Sequence, residues 1–259
     1  MVALRRPVGE FPMDLAKDTM QPSAHPAHQP REFEDALTYL PRKALNSYSR
    51  GDVIFDEHRP PEGLHLVLSG RVKVSVLLDD GVEALIDIFR TDDFLGESSL
   101  LGGFHGRQRA VALDNVSLMS WTAAEIEEQS QRQPKLGIAF IQMFVQRSLE
   151  YQARLQSFAL DKTPERFVRS LLRFAERMGT RADDGYTSIP PLTHQVLAGY
   201  VGTTREIITL QMNHFRQKGM LRYSRKGIQV YEEALREYLR SRSGTVDFPE
   251  LPRPADTNQ

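Results

Sequence analysis

The chain has 259 residues, of which 40% are hydrophobic and 26% are charged, and its formal net charge is −1. This length and composition favour two modest globular domains and exclude a fibrous or wholly disordered chain. The sequence contains no Cys, which excludes a disulfide framework, a thiolate iron–sulfur or zinc site and a Cys nucleophile.

Two features of the sequence bear on where the protein works. The longest strongly apolar run, residues 136–145, is too short to span a bilayer. Arg5 and Arg6 are followed by no apolar segment of the kind that a secretory signal requires. We therefore expect a cytoplasmic protein with no membrane partner.

Charge is distributed unevenly along the chain. Residues 1–160 carry 17 Lys and Arg against 22 Asp and Glu, whereas residues 161–240 carry 14 against 9. A basic excess confined to one segment suits a surface that faces phosphate. Residues 1–30 hold five of the 15 Pro, so we predict a flexible leader there and a flexible tail at 241–259.

A β domain is predicted over residues 31–133. Short apolar runs such as 64–68, 72–76 and 84–88 are separated by turn residues. Asp80-Gly81, between two alternating runs, predicts a β-hairpin. Many short strands at regular spacing are typical of a small sandwich or barrel.

The hydrophobic period changes after Pro134, a residue suited to a first helical turn, and predicts a long helix over 134–160. With Ser148 included, the apolar positions are separated alternately by three and four residues, which is typical of a coiled-coil seam and predicts a parallel homodimer. Leu136, Phe140 and Met143 lie on an adjoining face that we expect to pack on the β domain. The alternative is that the whole helix packs within its own chain. The predicted seam residues are Ile141, Phe144, Ser148, Tyr151, Leu155 and Phe158.

A third region, residues 161–240, is predicted to be a separate domain. Pro164 disfavours a helical Thr163, so the long helix should end there. A second helix is expected over 165–177, and the polar stretch 179–185 is predicted to be a surface loop.

Residues 192–221 have the order of a helix-turn-helix. Thr193 is suited to cap a short helix in which Val196, Leu197 and Val201 face inward. Gly202 then supplies a tight turn. Either Thr203 or Thr204 can cap the following helix, and Thr203 has capping-box spacing with Glu206.

In this second helix one side is apolar and the other is polar. Ile208, Met212 and Phe215 recur at i, i+4 and i+7 and form the predicted buried stripe, which Gly219 ends. The opposite face carries hydrogen-bonding groups of several types, as a helix that lies in the major groove requires. The following segments 221–223 and 228–231 predict a hairpin with a basic tip, which is a wing. The simpler alternative is a pair of packed helices with a solvated outer face.

Several segments resemble the CRP/FNR family, the cyclic-AMP receptor protein and its relatives. They are 50–55 (Arg-Gly-Asp-Val-Ile-Phe), 60–74, 94–100 (Phe-Leu-Gly-Glu-Ser-Ser-Leu) and 202–207 (Gly-Thr-Thr-Arg-Glu-Ile). The resemblance covers about residues 35 to 240. It implies an α+β chain: an N-terminal β-roll (a double-stranded β-helix like cyclic-nucleotide-binding domains), a dimerisation helix and a C-terminal winged helix-turn-helix. It also implies a non-enzymatic regulator that binds double-stranded DNA at promoters and acts on RNA polymerase.

The resemblance carries roles to individual residues. Arg205 and Glu206 match the family's base-reading pair, and Thr204 and His194 match positions that meet phosphate. Leu210 stands where the cyclic-AMP receptor has a second base-reading Arg, so the half-site is expected to differ. The predicted base-reading residues are Arg205, Glu206, Thr209, Leu210 and Asn213. The predicted phosphate contacts are Thr193, His194, Thr203, Thr204, Arg216, Arg225 and Lys226.

The effector pocket departs from the family pattern. Glu97 matches the residue that holds the ribose, but the Arg-Ser pair that holds the phosphate is missing in either register of 106–108. We therefore expect no cyclic-AMP cofactor, and a structural role for Glu97 as an acceptor of turn amides. The candidate pocket residues are Gly96, Glu97, Ser98, Arg107, Gln108, Arg109, Tyr151 and Gln152.

Three other classes of function remain open at this stage. The first is a cyclic-nucleotide-responsive regulator, and the second is a regulatory subunit that acts through protein contacts. The third is a cupin-like metalloenzyme, for which His58, His65 and His105 would be the candidate ligands. His65 lies in an alternating strand, and we expect a hydrogen-bonded lining residue there rather than a metal or haem ligand.

Overall fold

The computed structural model describes residues 33–77, 83–101, 107–182 and 185–242. The predicted leader at 1–30 lies outside these ranges, as do His105, the Asp80-Gly81 turn and all but the first two residues of the predicted tail.

Within these ranges, eight strands form the N-terminal domain. They are β1 (Leu45–Tyr48), β2 (Val53–Phe55), β3 (Gly63–Ser69), β4 (Val72–Leu77), β5 (Glu83–Phe89), β6 (Phe94–Leu95), β7 (Gln108–Ala112) and β8 (Val116–Thr122). They make two antiparallel four-stranded sheets in the orders β1-β8-β3-β6 and β2-β7-β4-β5. The two sheets are the predicted β-roll, and β4 pairs with β5 as the hairpin prediction requires.

The two faces of β3 serve two different cores. Val67 is fully buried between the sheets and belongs to the same cluster as Val74 of the opposite sheet. Leu64 and Leu66 belong to a second cluster, which also contains Leu136 and Phe140 of the long helix. Alternation along a strand sends neighbouring side chains to opposite faces, so one strand holds the roll together and fastens the helix to it.

Two helices follow the roll, α1 (Ala123–Arg132) and α2 (Pro134–Leu160). Helix α1 was not predicted from the sequence, although Thr122 and Glu125 form a capping box at its start. Helix α2 has the bounds that the change of period predicts. Among the described residues, no helix has the length and apolar character needed to cross a membrane.

The structure divides the predicted seam of α2 between two faces. Ile141 and Leu155 are 64% and 67% exposed, and Ser148 is also exposed. Phe144 instead stacks on Phe140, and Tyr151 is half-buried.

The ring of Phe158 touches the turn of the C-terminal domain at Gly202. Phe158 therefore faces the same side of α2 as Phe144 and Tyr151, although its side chain is 40% exposed. Phe144 and Tyr151 of the predicted seam are thus half-buried in the single chain, and the other four seam residues are exposed, so the seam remains a prediction. The α2 outer stripe that keeps the 3-4 spacing consists of Ile138, Ile141, Val145, Ser148, Gln152 and Leu155.

The C-terminal domain contains four helices and a four-stranded sheet within the described part of the chain. The helices are α3 (Thr163–Met178), α4 (His194–Val201), α5 (Arg205–Gln217) and α6 (Glu232–Arg242). The strands β9 (Thr180–Arg181), β10 (Thr187–Ile189), β11 (Leu221–Ser224) and β12 (Gly227–Val230) make an antiparallel sheet in the order β11-β12-β10-β9.

Two local predictions in this domain are corrected. Thr163 is helical, because Lys162 takes the extended conformation of the cap and Pro164 sits in the first turn, where a missing N–H costs nothing. Part of the predicted loop at 179–185 belongs to a strand, since Arg181 pairs with Thr187.

The β-roll and the C-terminal domain share a buried core. Leu85 and Ile88 of β5 belong to the cluster formed by the helices of the C-terminal domain. Between them in sequence, Asp87 is 2% exposed and faces two guanidinium groups of α3. Its Oδ2 lies 3.3 Å from Arg173 Nη2, and its Oδ1 lies 3.0 Å from Arg177 Nη1. We call these three residues the interdomain ion cluster.

Candidate nucleic-acid interface

Capping residues set where α4 and α5 begin. The Thr193 hydroxyl accepts a hydrogen bond from Val196 N at 3.2 Å, as predicted. The cap of α5 is Thr204, whose hydroxyl accepts from Ile207 N at 3.4 Å. The alternative cap, Thr203, is half-buried in the turn and its backbone N–H donates to Ala198 O. The predicted capping box of Thr203 with Glu206 is therefore wrong.

Gly202 makes the sharp turn between the two helices possible. Its φ is +69°, a left-handed conformation that side chains rarely adopt. A Cβ at this position would lie 2.4 Å from Phe158 Cε1. The turn thus needs Gly both for its backbone conformation and for the close approach of α2.

The predicted buried stripe of α5 is confirmed. Ile208 and Phe215 are fully buried and Met212 is 1% exposed. The ring of Phe215 lies 5.7 Å from that of Phe167 and 5.0 Å from that of Tyr238. These contacts with α3 and α6 fix how α5 is rotated about its axis, which decides the residues that face outward.

Three of the five predicted base-reading residues face solvent. Arg205 and Glu206 are exposed in the first turn of α5, and Leu210 is 66% exposed one turn later. The pKa of Glu206 is lowered, chiefly because its carboxylate accepts a hydrogen bond from its own backbone N–H and also one from Thr204. Glu206 is therefore an ionised acceptor at neutral pH, as contact with a cytosine amino group requires.

Thr209, by contrast, is held by its own domain. Its hydroxyl donates to Arg205 O at 2.9 Å, and its oxygen lies 2.9 Å from His194 Nδ1. Because the hydroxyl hydrogen is already used, Nδ1 must be the donor to Thr209. The His194 pKa is lowered, first by burial and then by the charge of Arg205. In the neutral ring Nε2 is an acceptor, so His194 can donate to a phosphate only when it is protonated.

Asn213 is the fifth predicted base-reading residue and it touches the wing. Its side-chain oxygen accepts a hydrogen bond from the Tyr223 hydroxyl of β11 at 3.2 Å. The Tyr223 ring packs edge-on against His194 at 5.9 Å between centroids, and the Arg216 guanidinium lies 5.3 Å from the ring centroid. Asn213 and Arg216 were predicted on the polar face of α5, but the contact of both with Tyr223 was not predicted.

The tip of the wing is basic and exposed, as predicted. Strands β11 and β12 pair as a hairpin, with Arg225 and Lys226 between Ser224 and Gly227. Lys226 N donates to Ser224 Oγ at 3.1 Å, which closes the tip. Of the other predicted phosphate contacts, Thr193, Thr204 and Arg216 are exposed.

The predicted effector residues lie on three different elements. Glu97 and half-buried Ser98 follow the buried Gly96 after β6, whereas Arg109, with half-buried Gln108, is exposed on β7. The partner of Glu97 is Arg147 of α2, whose Nη1 lies 3.6 Å from Glu97 Oε2. The expectation that Glu97 accepts turn amides remains a prediction, and the ion pair with Arg147 is a further contact of its carboxylate.

The other three candidate pocket residues are Arg107, Tyr151 and Gln152. Arg107 directly precedes β7, and its Nε lies 4.0 Å from Glu57 Oε2. Tyr151 is half-buried, and burial together with the charge of Asp87 raises its pKa to about 12. Gln152, one residue later on α2, is exposed.

His65 is a half-buried residue of β3 that hydrogen bonds through Nδ1 to Ser120 Oγ at 2.7 Å. Its ring stacks on Phe55. Burial lowers its pKa from 6.5 to about 4. Across the residues that the structure describes, no group of three or more His, Cys, Asp or Glu side chains could hold a metal ion.

The low pKa of His65 predicts an acid-sensitive fold. The ring takes up a proton near pH 6.5 in the unfolded chain but only near pH 4 in the folded chain. Protonation therefore favours the unfolded chain, and the free energy of unfolding falls as the pH drops from 6.5 towards 4. At pH 5 the loss is about 2 kcal/mol. Urea unfolding at pH 7 and pH 5 should show a smaller pH effect in His65→Gln than in wild type. An equal pH effect in both proteins would contradict the prediction, and the exposed His58→Gln variant is the control.

Comparison with known proteins agrees with this arrangement. Residues 45–133 match the family described as "Cyclic nucleotide-binding domain", and residues 165–238 match the "Crp-like helix-turn-helix domain". The two matches cover the β-roll and the winged domain in this order. The chain belongs to the CRP/FNR family.

Curated CRP/FNR relatives are similar along most of their length. The chain is 27% identical over 190 residues to a "Global nitrogen regulator" of Nostoc sp., with 73% of this chain and 85% of that protein covered. It is 26% identical over 191 residues to a "CRP-like cAMP-activated global transcriptional regulator" of Mycobacterium tuberculosis, with 71% and 82% covered.

Solved structures of the CRP/FNR family show the same fold. A CRP/FNR-family transcriptional regulator from Thermus thermophilus has a TM-score of 0.63 at 25% identity, covering 77% of this chain and all of that one. FixK2 from Bradyrhizobium japonicum has a TM-score of 0.66 at 20% identity, and the match covers 75% of this chain and 96% of FixK2. The α+β prediction of a β-roll, a long helix and a winged helix-turn-helix is confirmed.

Proposed function

We propose that this DNA-binding transcription regulator acts in the cytoplasm as a homodimer that binds promoters in a sequence-specific way. Helix α5 enters the major groove with Arg205, Glu206 and Leu210 towards the base edges, and the wing tip with Lys226 meets the phosphate backbone. The observation that carries the proposal is the exposed polar face of α5, held in place by the fully buried Ile208 and Phe215.

The α2 outer stripe supports the homodimer. Its apolar members are 49% to 67% exposed in the single chain and keep the 3-4 spacing of a coiled coil. Pairing two such helices about a two-fold axis would bury them and set the two copies of α5 against successive half-sites. Contact of the bound dimer with RNA polymerase then raises or lowers transcription.

DNA binding is proposed not to require cyclic AMP. The β-roll matches the cyclic nucleotide-binding domain family, so a nucleotide effector is the second candidate. Against it stand the missing Arg-Ser pair at 106–108 and the ion pair of Glu97 with Arg147. Selection of binding sites from random duplex DNA, with and without cyclic AMP, decides between them. Selection of one sequence only with the nucleotide would reject cyclic-AMP independence.

Replacement of Arg205 by Ala tests the proposed DNA contact. We expect a loss of about 1–3 kcal/mol at the selected site and a relaxed choice of base under this residue, because a bidentate guanidinium–guanine contact is removed. Lys226→Ala is the matched control. It should weaken binding to selected and random DNA alike, and it should reduce by about 0.9 the slope of log affinity against log salt concentration. Equal losses of Arg205→Ala on selected and random DNA would reject the base-reading role.

A further inference from the structure

We propose that Tyr223 of the wing is a positioning residue that turns Asn213 into a hydrogen-bond donor towards DNA. The inference rests on the proposed function, because it concerns how α5 reads the major groove. It adds a residue that determines specificity without lying on α5.

The first step is the way in which Tyr223 is held. Its ring is half-buried between His194 at the start of α4 and the Arg216 guanidinium on α5, at 5.9 Å and 5.3 Å. His194 is itself fixed by its contact with Thr209. Because β11 and both helices surround the ring, its hydroxyl has a defined position beside α5.

The second step is the bond that this hydroxyl makes. It donates to the Asn213 side-chain oxygen at 3.2 Å. The two ends of a carboxamide diverge, so an oxygen directed at the wing turns the amide nitrogen away from it. Asn213 is half-buried and lies two turns along α5 from Arg205, on the same polar face. The end that it presents to a groove is therefore the NH₂ group.

The third step concerns which bases such a group can distinguish. Asn normally selects adenine through two bonds, accepting from N6 and donating to N7. An amide whose oxygen is held by Tyr223 makes only the donor bond, and guanine also offers an acceptor at N7. At the base pair under Asn213, the wild-type protein should accept either purine without favouring adenine.

Site selection from random duplex DNA with the full chain tests the proposal. The base pair under Asn213 is identified as the one whose selection changes in Asn213→Ala. In Tyr223→Phe the ring packing remains but the hydroxyl is lost, so the freed oxygen should raise the adenine-to-guanine ratio there about fivefold or more, the lower limit of bidentate discrimination. The salt slope should stay at the wild-type value.

Two controls make the test specific. Tyr186→Phe removes a comparable hydroxyl bond, from Tyr186 to Gly219 O at 2.9 Å, and should leave base selection unchanged. In an Asn213→Ala background, Tyr223→Phe should change no base preference, because the group on which it acts is gone.

Three results would overturn the inference while leaving DNA binding intact. They are an unchanged base profile in Tyr223→Phe, an adenine preference already present in wild type, and no base position affected by Asn213→Ala. A wild-type protein that selects no sequence at all would instead overturn the proposed function, and the inference with it.

Discussion

Replacing Asp87 with Ala is expected to lower the free energy of unfolding by about 1.5–3 kcal/mol, because it removes hydrogen bonds between a buried carboxylate and two mostly buried guanidinium groups. Asp87 is the buried carboxylate of the interdomain ion cluster and bonds to both Arg173 and Arg177. The side chains of these arginines are only 18% and 15% exposed. Neither guanidinium can regain full hydration in the folded protein.

Each arginine of the interdomain ion cluster has one further carboxylate partner, which Asp87→Ala leaves in place. Arg173 already pairs with Glu150 at 2.6 Å and Arg177 with Asp93 at 2.7 Å. Asp87 also accepts a hydrogen bond from the backbone N–H of Ile88 at 2.8 Å. Asp87→Ala therefore removes one carboxylate and several hydrogen bonds at a single buried position.

Chemical unfolding of Asp87→Ala and Asp87→Asn measures this effect. Asp87→Asn keeps the shape of the side chain, so its free energy of unfolding should lie between those of Asp87→Ala and the wild type. Glu128→Ala removes an exposed ion pair with Arg132 and should change stability by less than about 1 kcal/mol. A loss below about 1 kcal/mol in Asp87→Ala would show that the cluster contributes little to stability.

Asp87→Ala should also weaken binding to the selected DNA. The cluster joins β5 to α3, so it fixes the C-terminal domain against the β-roll while Arg205 and Leu210 stay exposed. Loss of the contact should allow other orientations of α5, and the affinity falls with the fraction that remains competent. Unchanged DNA affinity in a folded, destabilised variant would contradict this part of the prediction.

A double substitution in the α2 outer stripe, Ile141→Glu with Leu155→Glu, is expected to convert the proposed dimer to a monomer. Each Ile or Leu that becomes buried in a dimer contributes about 1.5–3 kcal/mol, and Glu at these positions places like charges against each other across the two-fold axis. Because both side chains are more than 60% exposed in the single chain, the fold itself should remain intact.

Sedimentation and DNA titration together test the stripe. The variant should sediment as a 29.5 kDa monomer, and its affinity for a two-half-site duplex should fall by about 10²–10⁴-fold as bivalent binding is lost. Leu45→Glu, at a 56% exposed position on β1, is the matched control and should remain a dimer. A dimeric double variant would reject the stripe as the interface.

Local patterns predicted much of this protein. The buried stripe of α5 follows from a period of 3.6 residues, the start of α4 follows from the capping preference of Thr193, and the wing follows from two short runs around a basic tip. The bounds of α2 follow from Pro134 and the change of period. Each of these features depends on residues close together in the chain, where spacing and local hydrogen bonds decide the conformation.

The errors arose where long-range packing decides between local alternatives. Two lines on α2 have coiled-coil spacing, and only the position of the β-roll shows that Phe144 and Tyr151 face inward. Thr203 and Thr204 are both suitable caps, and the geometry of the turn selects Thr204. Periodicity ranks such alternatives equally, because it carries no information about which neighbour covers a face.

The sequence alone predicted the order of the β-roll, the long helix and the helix-turn-helix, and the exposure of Arg205, Glu206 and Leu210 on α5. Only the tertiary structure showed that Asp87 in a strand meets Arg173 and Arg177 in a helix 86 and 90 residues away, and that Tyr223 holds Asn213. A charge in an apolar strand indicates an unusual site, but its partners depend on how distant elements pack. The energy of burying a charge is decided by those partners, so the role of Asp87 becomes visible only in the folded chain.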